Sequence, residues 1–124
     1  MPPDHGLIVF AHGSRVAEAN EAVRRVAADA AARAGFVLWQ EAFLELAEPD
    51  LSEAVRRLAG RGARSITVTP YFLVMGIHLQ QDLPRLLDEA AAEGVELRAT
   101  PPLDGHPALA EILAERALAV APAR

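Results

Sequence analysis

The chain contains no cysteine and no lysine. Without thiols there is no disulfide framework, no thiolate metal site and no cysteine nucleophile. Without lysine, all twelve cationic side chains are arginine, a bias that GC-rich coding explains best, although the guanidinium fork also suits carboxylates and phosphates. The net charge is −5, which argues against a nucleic-acid partner, since phosphate neutralisation needs a clustered excess of basic side chains. No apolar run approaches the roughly 18 to 20 residues needed to span a bilayer, so no membrane association is expected. Met1-Pro2-Pro3-Asp4 carries no basic n-region, so no signal peptide is expected and a cytoplasmic location is the default.

What is present reads as one domain over 1–124. Apolar residues make up 52% and charged residues 23%, the balance of a compact globular chain, and a domain of this size buries roughly two-thirds of its unfolded surface. The apolar run from Gly6 to Ala11 has strand length and stops at His12-Gly13, as in a strand buried on both faces of a parallel sheet. Val16, Ala19, Val23, Val26, Ala27 and Ala30 then recur at helical spacing up to Ala34-Gly35. Phe36 to Leu46 reads as a second strand, with Glu45 near its end. Asp50 and Glu53 form a capping box for a helix carrying Leu51, Ala54, Val55 and Leu58 and closed by Gly60 and Gly62.

Ser65 to Pro70 is a third strand by its β-branched content. Tyr71 to Leu79 is a strongly apolar loop with an embedded histidine. A helix is expected from about Asp82, with Pro84 in its first turn and Leu83, Leu86, Leu87 and Ala90 on its buried face. Gly94 ends it, Val95 to Thr100 is a fourth strand, and a last helix from Pro107 runs through Leu109, Ile112, Leu113 and Ala117. The order βαβαβαβα calls for a four-stranded parallel sheet with helices on both faces, an α/β fold.

In such a sheet the ligand crevice lies outside the carboxyl ends of the strands. His12, Glu45, His78 and His106 follow strands one to four in turn, so all four reach the same edge. Two imidazoles and a carboxylate there can hold a borderline divalent ion such as Co, Ni or Fe. Each also has a plainer reading. His12 can be a loop histidine bonded to backbone, His106 can simply flank a helix start, and Glu45 can pair with Arg64 or cap a helix. His5 falls in a frayed terminus and receives no role.

Five blocks, Ala-His12-Gly-Ser-Arg, Phe-Leu-Glu45-Leu-Ala-Glu48-Pro, Pro70-Tyr-Phe-Leu, Gly76-Ile-His78-Leu-Gln-Gln-Asp82-Leu-Pro84 and Pro101-Pro102-Leu, resemble in order and spacing the sirohydrochlorin chelatases, class II tetrapyrrole metal chelatases. The resemblance covers roughly residues 6 to 118 and implies a single-lobe, flavodoxin-like chelatase fold. It implies insertion of cobalt, or alternatively iron or nickel, into sirohydrochlorin on a route to cobalamin, siroheme or a related tetrapyrrole. His12 and His78 would be the metal ligands and Glu45 their acidic partner in catalysis, with Ser14, Arg15 and Gly76 contacting substrate. The divalent metal is a substrate. No organic cofactor is expected, and an iron–sulfur cluster has no cysteines to hold it. Ile77 stands where relatives often have a small or basic residue.

The chemistry suits these residues. Neutral imidazoles hold and release divalent ions, and Glu45 or an unliganded imidazole can take the two pyrrolic protons. Activity should then fall as the pH drops through about 6.5, the ordinary imidazole value. The eight carboxylates of sirohydrochlorin should find helix N-termini, backbone N–H groups and Arg15. A single lobe offers one wall to a macrocycle, so a homodimer is expected, with the loop residues Phe72, Leu73, Val74, Met75 and Ile77 in the contact. Two other readings stay open, a non-catalytic metal or tetrapyrrole carrier and a phosphotransfer enzyme using His12. The second is disfavoured because histidine phosphatases place an arginine directly before that histidine, where this chain has Ala11.

Overall fold

Six of the seven residues of β1 (His5–Ala11) are buried, because this strand has a neighbour on each side and helices over both faces. In the computed structural model, which describes residues 1–122, four parallel strands are ordered β2-β1-β3-β4. β2 (Leu38–Phe43) pairs with β1 from Gly6↔Leu38 to Ala11↔Phe43. β3 (Ser65–Pro70) pairs with the other side of β1 from His5↔Ser65 to Phe10↔Pro70, and the short β4 (Glu96–Ala99) completes the sheet. Between them run α1 (Ala17–Ala34), α2 (Leu51–Gly60) and α3 (Ile77–Ala90), with α4 (Ala108–Val120) last.

Period-two alternation along the strands divides the core in two. Ile8, Phe10, Ile66 and Val68 point to the face covered by α2 and α3, where Val55, Leu58 and Leu83 meet them. Leu7 and Val9 point to the opposite face and pack on Ala27 and Ala31 of α1. The expected α/β sheet with helices on both faces is therefore what the chain forms.

Several boundaries differ from the sequence reading. β2 is shorter than the expected Phe36 to Leu46. Phe36 packs against the α1 cluster, and past Phe43 the chain bends into a turn in which Leu46 takes a left-handed φ of 66°, so Glu45 lies beyond the strand. α3 begins at Ile77, not near Asp82, and Pro84 sits inside it rather than in its first turn. The proline removes one N–H that would have bonded the Gln80 carbonyl, and both residues are exposed, so solvent can take that bond's place. His5 is not frayed. It opens β1 with its Nε2 2.9 Å from Thr67 Oγ1 and its ring edge-on to Phe36 at 5.5 Å. α4 starts after Pro107 as expected, yet none of its residues is buried. Among the described residues no helix is long and apolar enough to cross a membrane.

Candidate active site

The site is built by two backbone segments that stay zipped after their strands have ended. Leu44 N–H donates to Ala11 O at 2.9 Å and Glu45 N–H donates to His12 O at 3.1 Å, carrying the β1–β2 ladder past Phe43. That register sets the two side chains together, with His12 Nε2 3.1 Å from Glu45 Oε1. Gly13 makes the approach possible. Its φ is 95°, and a Cβ on it would lie 1.9 Å from the Glu45 carbonyl oxygen, so only glycine fits between the segments.

His12 and Glu45 are 54% and 58% exposed. At that exposure their attraction adds little to folding stability, and its consequence is orientation. In the neutral tautomer that donates Nε2–H to Glu45, the ring's Nδ1 carries the lone pair and can bind a metal, the carboxylate fixing the ring's orientation. A carboxylate in water beside an imidazole can also accept a proton from an incoming group.

Ser14 lies in the turn between His12 and α1, and a residue the sequence reading passed over holds it there. Asn20 Oδ1 accepts from Ser14 N–H at 3.0 Å, and Asn20 Nδ2 donates to Ser14 O at 2.8 Å. Ser14 Oγ in turn accepts from Val16 N–H at 3.0 Å, which fixes the turn ahead of α1, whose N-cap Val16 makes no side-chain cap. An asparagine at the sixth position after a His-Gly-Ser turn, in the first turn of the helix, was the available signal. Arg15 is exposed at the crest of this turn.

His78 corrects an expectation in its setting. It is not in a loop but is the second residue of α3, exposed, at the carboxyl end of β3 next to β1. Gly76 precedes the helix with an ordinary extended backbone (φ −61°, ψ 163°), and a Cβ there would meet open space, so its backbone does not require glycine. Among the described residues no three imidazole or carboxylate groups gather into a ready metal cage. The paired groups are His12 and Glu45, with His78 on the neighbouring strand's helix. His106 follows its plainer reading, since its Nδ1 accepts from Ala108 N–H at 3.0 Å and caps α4. The suggested Glu45–Arg64 pairing does not form, because Glu45 faces His12.

Beside Glu45 opens a hollow of about 510 Å³ whose lining includes Glu48, Asp50, Arg56 and Arg57. Arg56 and Arg57 both reach Glu53, at 2.7 and 3.4 Å. The hydrogen bond from Arg56 holds the Glu53 carboxyl below its ordinary range against an opposing desolvation, and the Arg56 charge and Arg57 add to the lowering. The wall of this hollow thus carries both signs of charge.

The CbiX family model matches residues 6–120. Over 113 residues the chain is 33% identical to the sirohydrochlorin ferrochelatase of Arabidopsis thaliana chloroplasts, covering 90% of this chain and 50% of that protein. It is 31% identical to the sirohydrochlorin cobaltochelatase of Sulfurisphaera tokodaii, covering 90% of each. Among solved structures, the putative cobalamin biosynthesis CbiX protein of Marinobacter aquaeolei superposes with a TM-score of 0.79 at 32% identity, covering 93% of this chain and 95% of that one. The sirohydrochlorin chelatase SirB of Bacillus subtilis subspecies spizizenii, in complex with cobalt, shares the fold with a TM-score of 0.86 at 22% identity, covering 95% of this chain and 51% of that chain. The chain therefore spans about half the length of the plant relative and of SirB, and nearly all of the other two. With a family model matched over residues 6–120, from strand β1 through helix α4, this chain belongs to the CbiX family.

Proposed function

We propose that this chain is a sirohydrochlorin chelatase, inserting a divalent metal ion, cobalt first and iron or nickel as alternatives, into the macrocycle. The observation that carries the reading is the His12–Glu45 pair at 3.1 Å on the carboxyl edge of the sheet, in a chain of the CbiX family. In this reading His12, through Nδ1, and His78 hold the incoming ion, and Glu45 steadies the His12 ring through Nε2. As the four macrocycle nitrogens replace the imidazoles, two pyrrolic N–H protons must leave for each metal that enters. Glu45 takes the two protons one after the other and passes each to solvent, for which its exposure suits it. Imidazole ligands without a third protein donor suit a metal that has to be given up, since a closed multi-ligand cage would retain it.

Ser14, Arg15 and Gly76 are proposed to contact the macrocycle's carboxylates, Arg15 as a guanidinium fork, Ser14 through its hydroxyl and Gly76 through its backbone N–H beside the start of α3. The exposed apolar residues Leu73 and Val74 of the β3–α3 loop and Ile77 at the start of α3 are proposed to meet a second copy, which would supply a facing wall for the flat substrate. The test is to incubate the chain with sirohydrochlorin and Co²⁺, Fe²⁺ or Ni²⁺ and to follow the absorbance change against the uncatalysed rate. Acceleration with repeated turnover is expected. Stoichiometric binding without turnover would mean a carrier and would contradict the proposal.

A further inference from the structure

The turn after β1 is one short stretch held by two different elements. Its first half belongs to β2. Leu44 N–H and Glu45 N–H bond the carbonyls of Ala11 and His12, and Gly13 is lodged against the Glu45 carbonyl. Its second half does not. Among the described residues no backbone–backbone hydrogen bond involves Ser14 or Arg15. Both polar backbone groups of Ser14 go instead to the side chain of Asn20, the N–H to Oδ1 at 3.0 Å and the carbonyl to Nδ2 at 2.8 Å. One amide side chain, used as acceptor and donor on a single residue, thus replaces the pair of bonds that a neighbouring strand would give.

Asn20 can serve as such a mount only because α1 is itself fixed. One helical turn on, and so on the same side of α1, Arg24 Nε donates to Glu41 Oε2. Glu41 lies in β2 in register with Val9 and is, among the described residues, the one buried charged side chain, 5% exposed. A slide or rotation of α1 on the sheet would leave that carboxylate buried without its cation, a strongly unfavourable state. The start of the helix is therefore anchored to the sheet through Arg24, and Asn20 passes that anchorage to Ser14. Because Ser14 Oγ already accepts from Val16 N–H, its hydroxyl hydrogen is left to donate outward. Arg15 stands exposed beside it.

We infer that Asn20 is a positioning residue for the macrocycle, holding Ser14 and Arg15 where they meet its carboxylates, while β2 separately holds His12 for the metal. The inference rests on the roles proposed above for Ser14 and Arg15. Its consequence is that one turn carries two binding functions that a single substitution can separate.

The test compares the folded full chain with Asn20→Ala, Arg15→Ala and the double variant. Affinity for metal-free sirohydrochlorin is read from the macrocycle's fluorescence, KM for Co²⁺ from the insertion rate, and amide exchange at Ser14 and Glu45 by NMR. In Asn20→Ala the macrocycle should bind about tenfold more weakly, on the scale of one lost hydrogen bond, with KM for Co²⁺ unchanged. Ser14 N–H should exchange about tenfold faster or more, and Glu45 N–H, bonded to His12, at its original rate. Because Asn20 acts partly through Arg15, the double variant should lose less affinity than the product of the two single losses. Losses that multiply in full would overturn the inference, as would a Co²⁺ KM that rises in step with the macrocycle's dissociation constant. An unaltered chain that does not bind sirohydrochlorin would overturn the proposed function and the inference with it. Normal binding by the unaltered chain and by Asn20→Ala alike would overturn the inference alone.

Discussion

At the scale of single residues the site depends on one glycine. A methyl on Gly13 would stand 1.9 Å from the Glu45 carbonyl, in a backbone region that costs a non-glycine residue about 1–3 kcal/mol. Gly13→Ala should therefore push the two zipped segments apart, lower stability by about that much in urea unfolding, and reduce metal insertion by about 10²-fold, the effect of an ångström's misplacement at a reacting centre. Wild-type activity in this variant would show that the His12–Glu45 contact is dispensable. His12, Gly13 and Glu45 were legible in the sequence because a strand that ends in His-Gly can deliver a side chain to only one edge of a parallel sheet. The clamp of Asn20 on Ser14 was not legible, since asparagine in the first turn of a periodic helix looks like a solvent-facing position. The tether of His5 to Thr67 was missed because its partner is on β3, far away in sequence.

At the scale of elements, the capping aspartate before α2 held and the start of α3 did not. Asp50 Oδ1 accepts from Glu53 N–H at 2.8 Å, but the reciprocal half of the expected capping box does not form, because the Glu53 carboxylate turns to Arg56 and Arg57. Asp50→Ala should cost about 1 kcal/mol by chemical denaturation, and a loss below a few tenths would mean that α2 is held by packing alone. Because Arg56 keeps the Glu53 carboxyl below its ordinary range, its contribution is present above the usual carboxylate value and disappears as pH falls through the lowered one. That loss should be confined to acid conditions, and Arg56→Ala should remove most of the acid-limb dependence specific to Glu53 in unfolding measured against pH. The start of α3 at Ile77 is hidden in the sequence because the apolar stretch Tyr71 to Leu79 resembles a crossover loop and Pro84 a first-turn proline. Phe72 and Met75 in fact pack on the core, which anchors the loop and lets the helix begin at Ile77.

At the scale of the whole molecule, the sheet order and the two-sided core follow from the alternation of strand and helix patterns, whereas the solvent-facing position of α4 could not be read from a sequence that is apolar throughout. Helical periodicity shows which residues share a face and says nothing of what covers it. The exposed loop carries its own expectation. Ile77 is 70% exposed, and Val74→Asp or Ile77→Asp should shift light scattering from about twice the chain mass toward the monomer, with metal insertion falling alongside. An unchanged mass in both variants would remove the loop from the contact. The central claim, that the paired imidazole at the carboxyl edge handles the metal, is tested most directly by the initial rate of Co²⁺ insertion into sirohydrochlorin by folded His12→Ala at limiting Co²⁺. The account predicts a loss of roughly 10²-fold or more, the usual worth of a group acting at the reacting centre, and a rate equal to that of the unaltered chain would contradict it.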